Sequence, residues 1–177
     1  EANLSNLGRE TFLLPVRWPK DGWPLILPAG AVVPQAADAP RFATPMPFNT
    51  LLWRVVAMTP DGLVEGERSL PADRGPMRFR HYPSDTTALS AVADLPVVQR
   101  LAWFNHGFQK AQLRDGALVL SDLRMGSEPD YSFNFAVARQ VGADWQAIPP
   151  RQLRWSWQAR GRLPAMWARI WTEPPAS

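Results

Sequence analysis

The chain has 177 residues, 46% of them hydrophobic, with a formal net charge of +3, no cysteine and 19 prolines. That length and apolar share predict one folded domain with a real core and exclude wholesale disorder. The missing cysteines exclude disulfides, thiolate metal sites and a Cys nucleophile. No run reaches the ~20 apolar residues of a membrane-spanning helix, and no signal peptide is legible. A first residue other than Met predicts a processed or excised chain.

In chain order, residues 1–27 read as an irregular hairpin arm. Thr11 to Trp18 and Trp23 to Leu27 flank a turn at Lys20-Asp21-Gly22, and Pro15 and Pro24 demote both strands to edges. Residues 28–47 are rich in Pro and Ala and lack periodicity, which predicts a linker. Residues 48–177 then form the ordered domain.

In that domain Leu51–Met58 and Leu63–Leu70 surround Thr59-Pro60-Asp61-Gly62, a strand–turn–strand pattern. Met77 to Tyr82 alternates as a half-buried strand does. Ser84-Asp85 predicts the cap of a helix over 86–94. Asp94 with Pro96 predicts the start of a second, which Gly107 stops. Val97, Leu101, Phe104 and Phe108 share one face of it. A hairpin follows, Phe108–Leu113 and Ala117–Leu123 about Arg114-Asp115-Gly116, and then a strand carrying Tyr131, Phe133, Phe135 and Val137 on one side. Strands grouped on either side of a helical pair predict an α+β domain, a mostly antiparallel sheet with the helices on one face.

Residues 145–171 interleave Trp145, Trp155, Trp157, Trp167 and Trp171 with Arg151, Arg154, Arg160, Arg162 and Arg169, and no acidic residue lies between Asp144 and Glu173. Arg154, Trp155, Trp157, Trp167 and Trp171 are thus candidates for contact with a bilayer surface, indole at headgroup level and guanidinium on phosphate. The alternative is that the tryptophans cover the sheet while the arginines reach outward.

Two resemblances accompany these patterns. Leu7-Gly8-Arg9-Glu10-Thr11-Phe12, Pro15-Val16-Arg17-Trp18 and Gly22-Trp23-Pro24 resemble the closing segment of the family 43 glycoside hydrolases, the β-xylosidase and arabinofuranosidase group. The resemblance implies carbohydrate as a ligand, with Arg9 reaching toward a sugar pocket. That family's three catalytic acids come from earlier propeller blades and have no counterpart here, so a complete glycosidase centre is not expected. From about Pro45 to Trp171, the segments PFNTLLWRVVAM, RFRHYPSD, LPVVQRLAWFNHGF, LVLSDLRMG, PDYSFNFAVA and WQAIPPRQL are similar to the soluble C-terminal region of bacterial inner-membrane, metal-dependent hydrolases of the LexA-regulated family. This resemblance implies inner-membrane association, a membrane-embedded partner region and a hydrolase setting. The two unlike halves predict a chimeric sequence joined near 28–47.

Three groups suit chemistry. His81, His106 and Asp122 could form a two-His, one-carboxylate site for a divalent metal, although no local ligand motif accompanies them; the alternative for His106 is a helix cap. Asp122 and Arg124, two apart, suit either ligand contact or a mutual ion pair, and the adjacent Arg argues for the pair. Arg74, Arg78 and Arg80 with Phe79, His81 and Tyr82 match a single-strand nucleic-acid surface only as well as they match an ordinary strand. Glu128 and Asp130, flanking Pro129, read as solvated loop carboxylates. The expectation is an accessory or binding domain without a complete catalytic centre.

Overall fold

A computed structural model describes residues 39–153 and 159–174, so the arm at 1–27 and most of the stretch at 28–47 lie outside the described residues. The first sheet is a meander of β1 (Arg41–Pro45), β2 (Leu52–Thr59), β3 (Gly62–Ser69) and β4 (Phe79–Pro83), each strand antiparallel to the next. The β2–β3 turn sets its register. Thr59 faces Gly62, and the Thr59 hydroxyl donates to Asp61 Oδ1 at 2.8 Å. Gly62 is obligatory for packing, because a Cβ there would stand 2.2 Å from the Tyr82 carbonyl oxygen.

Strand β1 falls inside the stretch that the sequence reads as linker. Pro40 and Pro45 hide it from pattern reading, yet an edge strand tolerates proline at its ends. It is recruited by tertiary contact: Phe42 pairs with Val56 and meets the Phe108 ring edge-on at 4.8 Å. Asn49 secures the β1–β2 turn, its Oδ1 accepting from the amides of Leu51 (3.0 Å) and Leu52 (2.7 Å).

Helix α1 (Thr86–Ala91) starts where Asp85 accepts from the Ala88 amide, as the sequence predicts. Helix α2 (Pro96–Phe104) has Leu95, not Asp94, at its N-cap, with no side-chain cap bond; Pro96 alone marks the first turn. It ends through Asn105, with His106 and Gly107 both at positive φ and the Gly107 amide donating to Ala102 O at 2.9 Å, a Schellman-type stop.

The second sheet comes from β5 (Gln109–Arg114), β6 (Ala117–Asp122), β9 (Asn134–Val141) and β10 (Asp144–Gln152), ordered β10-β9-β6-β5. Asp115 and Gly116, both at positive φ, make the tight β5–β6 turn. Between β6 and β9 the chain forms a two-stranded ribbon, β7 (Gly126–Ser127) with β8 (Asp130–Tyr131). The run from Tyr131 to Val137 is therefore not one strand. Tyr131 belongs to the ribbon, and in β9 the register with β6 shifts at Val137, a bulge that lets Val137 and Ala138 both enter the core under the helical pair. Helix α3 (Ala159–Trp171) closes the described chain.

The fold is α+β, with two sheets rather than one. The helical pair covers one face of the second sheet: Ala88, Val92 and Val98 meet Ala111, Leu118, Leu120, Val137 and Ala138, with Leu101 and Trp145 at the margin. Phe104 points outward instead, and Phe108 joins a second core of Val56, Leu63, Leu123 and Tyr131 between the sheets. Each fully buried aliphatic side chain contributes about 1.5–3 kcal/mol to these cores.

Candidate functional site

Beyond the apolar half of its inner face, the first sheet turns ionic. Arg54 is fully buried in the middle of β2. Its Nη2 donates to Glu65 Oε2 at 2.6 Å and its Nη1 to the Leu123 carbonyl at 2.7 Å. The guanidinium carbon lies 5.7 Å from the Phe42 ring centre and 5.6 Å from that of Tyr131, so two aromatic faces enclose it. Its Nε finds no acceptor. The Tyr131 hydroxyl leans on Glu65 Oε2 at 3.4 Å. Burial first, and the Glu65 charge second, push that phenol well above its ordinary value, so it stays protonated.

A second buried pair lies nearby. Lys110, 2% exposed, meets Glu128 at 2.8 Å and stands 5.7 Å from the Tyr82 ring centre. Glu128 and Asp130 are thus not solvated loop carboxylates. Glu128 neutralises a buried ammonium, and Asp130 pairs with Arg162 at 3.2 Å, while Arg162 also donates to the Glu128 carbonyl.

Helix α3 lies against this ionic surface. The Arg169 guanidinium grips both Asp73 oxygens, with Nη1 at 2.8 Å from Oδ1, and sits 3.9 Å from Glu67. The Ser69 hydroxyl donates to the Ile170 carbonyl, and Glu173 accepts from the amides of Arg74 and Gly75. Arg162, Leu163, Met166, Arg169 and Ile170 face the body. Pro164, Trp167, Ala168 and Trp171, at i, i+3, i+4 and i+7, all face out. Trp167 and Trp171 are 58% and 57% exposed, their rings edge to face at 6.4 Å. The arginine is inside and the tryptophans outside, the reverse of the sheet-covering alternative for these two residues.

Two clefts open beside the helix. One, of about 760 Å³, runs between β4 and α3 past Arg78, Phe79 and Arg80. The other, of about 730 Å³, lies between the β1–β2 turn, the β7–β8 ribbon and α3. Glu67, Ser127, Arg162 and Arg169 line both. Although 37% of the Glu67 side chain is exposed, the cleft walls desolvate its carboxyl and raise it above the ordinary carboxylate range, with Arg169 pulling the other way. Glu67 can therefore hold a proton that a free carboxyl would release. Among the described residues no hydroxyl is hydrogen-bonded to it, and Ser127 lines the same two clefts.

The metal candidates do not converge. His81 is exposed on the outer side of β4, 3.2 Å from Asp61. His106 is the left-handed residue that ends α2, and Asp122 closes β6. Among the described residues no three His, Asp or Glu side chains gather as metal ligands. Asp122 instead accepts from Arg124 Nε (3.1 Å), Nη2 (2.8 Å) and the Arg124 amide (2.9 Å), while that guanidinium stacks on Phe104 at 4.8 Å. Arg9, Arg154, Trp155 and Trp157 lie outside the residues whose side chains are described.

Sequence reading missed Arg54, Glu65, Glu67 and Lys110. A signal existed for the first three. The Pro60-Asp61 turn fixes Arg54 opposite Glu67, with Glu65 diagonal to it. No family model matches this chain, and no curated protein or solved structure matches it.

Proposed function

We propose that this chain is an accessory binding module held against a bilayer surface by α3, in keeping with the resemblance of its ordered part to the soluble region of inner-membrane hydrolases. One observation carries the reading: among the described side chains of α3, Pro164, Trp167, Ala168 and Trp171 form an uncharged, exposed outward stripe, while Arg162 and Arg169 turn inward to Asp130 and Asp73. A surface helix of a water-soluble domain ordinarily puts its charges on that face. Indole rings one helical turn apart suit the headgroup layer, where the ring body is shielded and the N–H finds an acceptor. No helix among the described residues is long and apolar enough to cross a membrane, so the contact is one of a helix lying on the surface.

The test is co-sedimentation with phosphatidylglycerol–phosphatidylcholine vesicles. Trp167→Ala with Trp171→Ala is expected to weaken partitioning at least about tenfold, since each large apolar side chain withdrawn from water is worth about 1.5–3 kcal/mol. Equal sedimentation of the double variant and the native chain would overturn the reading.

A further inference from the structure

We infer, building on the bilayer reading above, that the β1–β2 turn is a second membrane contact: a rigid wedge that seats the Phe48 ring among acyl chains beside α3. Phe48 stands at the tip of the turn, 80% exposed with φ +60. A bulky residue in that left-handed region is strained, and a phenyl ring left in water forgoes the gain of burial. The turn nevertheless holds both conditions firmly. Asn49 Nδ2 donates to the carbonyls of Met46 at 3.3 Å and Pro47 at 3.1 Å, while its Oδ1 accepts from the Leu51 and Leu52 amides. The Trp53 indole N–H closes the far side on the Thr50 carbonyl at 2.9 Å. Strained residues persist only where the surroundings over-determine them, and they gather at functional positions.

Three observations name a bilayer as the occupant. No charged residue lies between Arg41 and Arg54, so the turn can leave water without stranding an ion. The Asn49 amide is committed to the turn itself, so the tip presents a ring rather than directional polar groups. A fluid hydrocarbon asks of its partner apolar area and no fixed geometry. The turn also adjoins the helix that carries the exposed indoles: Asn49 Nδ2 lies 3.9 Å from Met166 Sδ, and Trp167 follows on the outward stripe. Indole, with its N–H, suits the headgroup layer, and phenyl, with no polar handle, suits the chains beneath it.

The experiment joins two measurements on Phe48→Gly: co-sedimentation with the same phosphatidylglycerol–phosphatidylcholine vesicles, and the urea midpoint without lipid. Glycine adopts φ +60 without strain, and the strain relieved outweighs the freedom added to the unfolded chain, so the midpoint is expected to equal or exceed that of the native chain. Partitioning is expected to weaken at least about fivefold, because a ring withdrawn from water is lost. The factor should be the same at low and at high salt, since the ring carries no charge. Phe48→Leu, apolar without being aromatic, should keep most of the partitioning. A lowered midpoint in Phe48→Gly would show the ring serving the fold and would overturn the inference. Unchanged partitioning, a loss confined to low salt, or an equal loss in Phe48→Leu would overturn it too. So would a fall in the sedimentation-equilibrium mass of the lipid-free chain on Phe48→Gly, which would make a second copy the occupant. A native chain that does not sediment with vesicles overturns both membrane readings. Sedimentation that falls in Trp167→Ala with Trp171→Ala but not in Phe48→Gly overturns this one alone.

Discussion

Arg54 and Glu65 are worth more to each other than to the fold. Removing one partner strands a charge among Phe42, Tyr131 and the sheet, which costs about 3–5 kcal/mol for a buried pair. Glu65→Gln should therefore lower the urea midpoint sharply. Arg54→Met combined with Glu65→Leu should recover much of the loss, since an apolar replacement leaves no uncompensated charge. Glu67 carries a pH signature. Its folded carboxyl binds a proton more tightly than the unfolded one, chiefly through burial, so its contribution to stability is fully present below the unfolded value and is lost as pH rises through the folded value. Urea midpoints collected across the acidic range should fall less steeply with rising pH in Glu67→Gln than in the native chain. At Gly126, φ is +108 and a Cβ would lie 2.5 Å from the Asp130 carbonyl oxygen. Gly126→Ala should thus cost about 1–3 kcal/mol in thermal or chemical unfolding, the range for a residue forced into such a conformation.

At the level of single elements, α3 is fastened by polar contacts to β3 and to the ribbon, and Ile170 is its one buried hydrophobic side chain among the described residues. Changes on its two sides should separate cleanly. Trp167→Ala with Trp171→Ala should leave the unfolding midpoint within about 0.5 kcal/mol of native, as exposed positions do. Arg169→Met should destabilise by about 1–3 kcal/mol through the stranded Asp73. Elements such as α3 also mark where sequence reasoning ran out. The turns at Asp61-Gly62 and Asp115-Gly116 and the Asp85 cap were legible because their chemistry is local. Strand β1 was not, because what makes Arg41–Pro45 a strand is pairing with β2 and the contact of Phe42 with Phe108. The orientation of α3 was equally hidden. Both of its stripes contain apolar residues, and the choice between them rests on Ser69 and Asp73, about a hundred positions earlier.

Across the whole molecule, the strand–helix–strand order was enough for the α+β class, but not for the division into two sheets. That division falls at the helical pair between β4 and β5, and part of the contact across it is made by the ribbon after β6. The ribbon carries Tyr131 away from the second sheet and, with Leu123, into the core under the first. The ionic site was hidden for a related reason. Arg54 and Glu65 could be paired from the register of one turn, but their enclosure by Phe42 and Tyr131 and the bond to Leu123 depend on how the two sheets meet. Lys110 could not be foreseen at all, since its partner Glu128 lies on that same ribbon.

The bond from Arg54 to the Leu123 carbonyl has a consequence for the timing of folding. Most pairings within each sheet join strands close in sequence, so each sheet has mainly short loops to close and can form early. Contact between them brings together residues far apart in sequence, among them Arg54 and Leu123, 69 positions apart, Phe42 and Phe108, and Tyr82 and Lys110. Arg54 is the buried polar member of this set, and it helps to make one cooperative unit of the two sheets. In native-state hydrogen exchange, amides of β2 and β6 should share one opening free energy in the native chain, and Arg54→Met should split them into two classes.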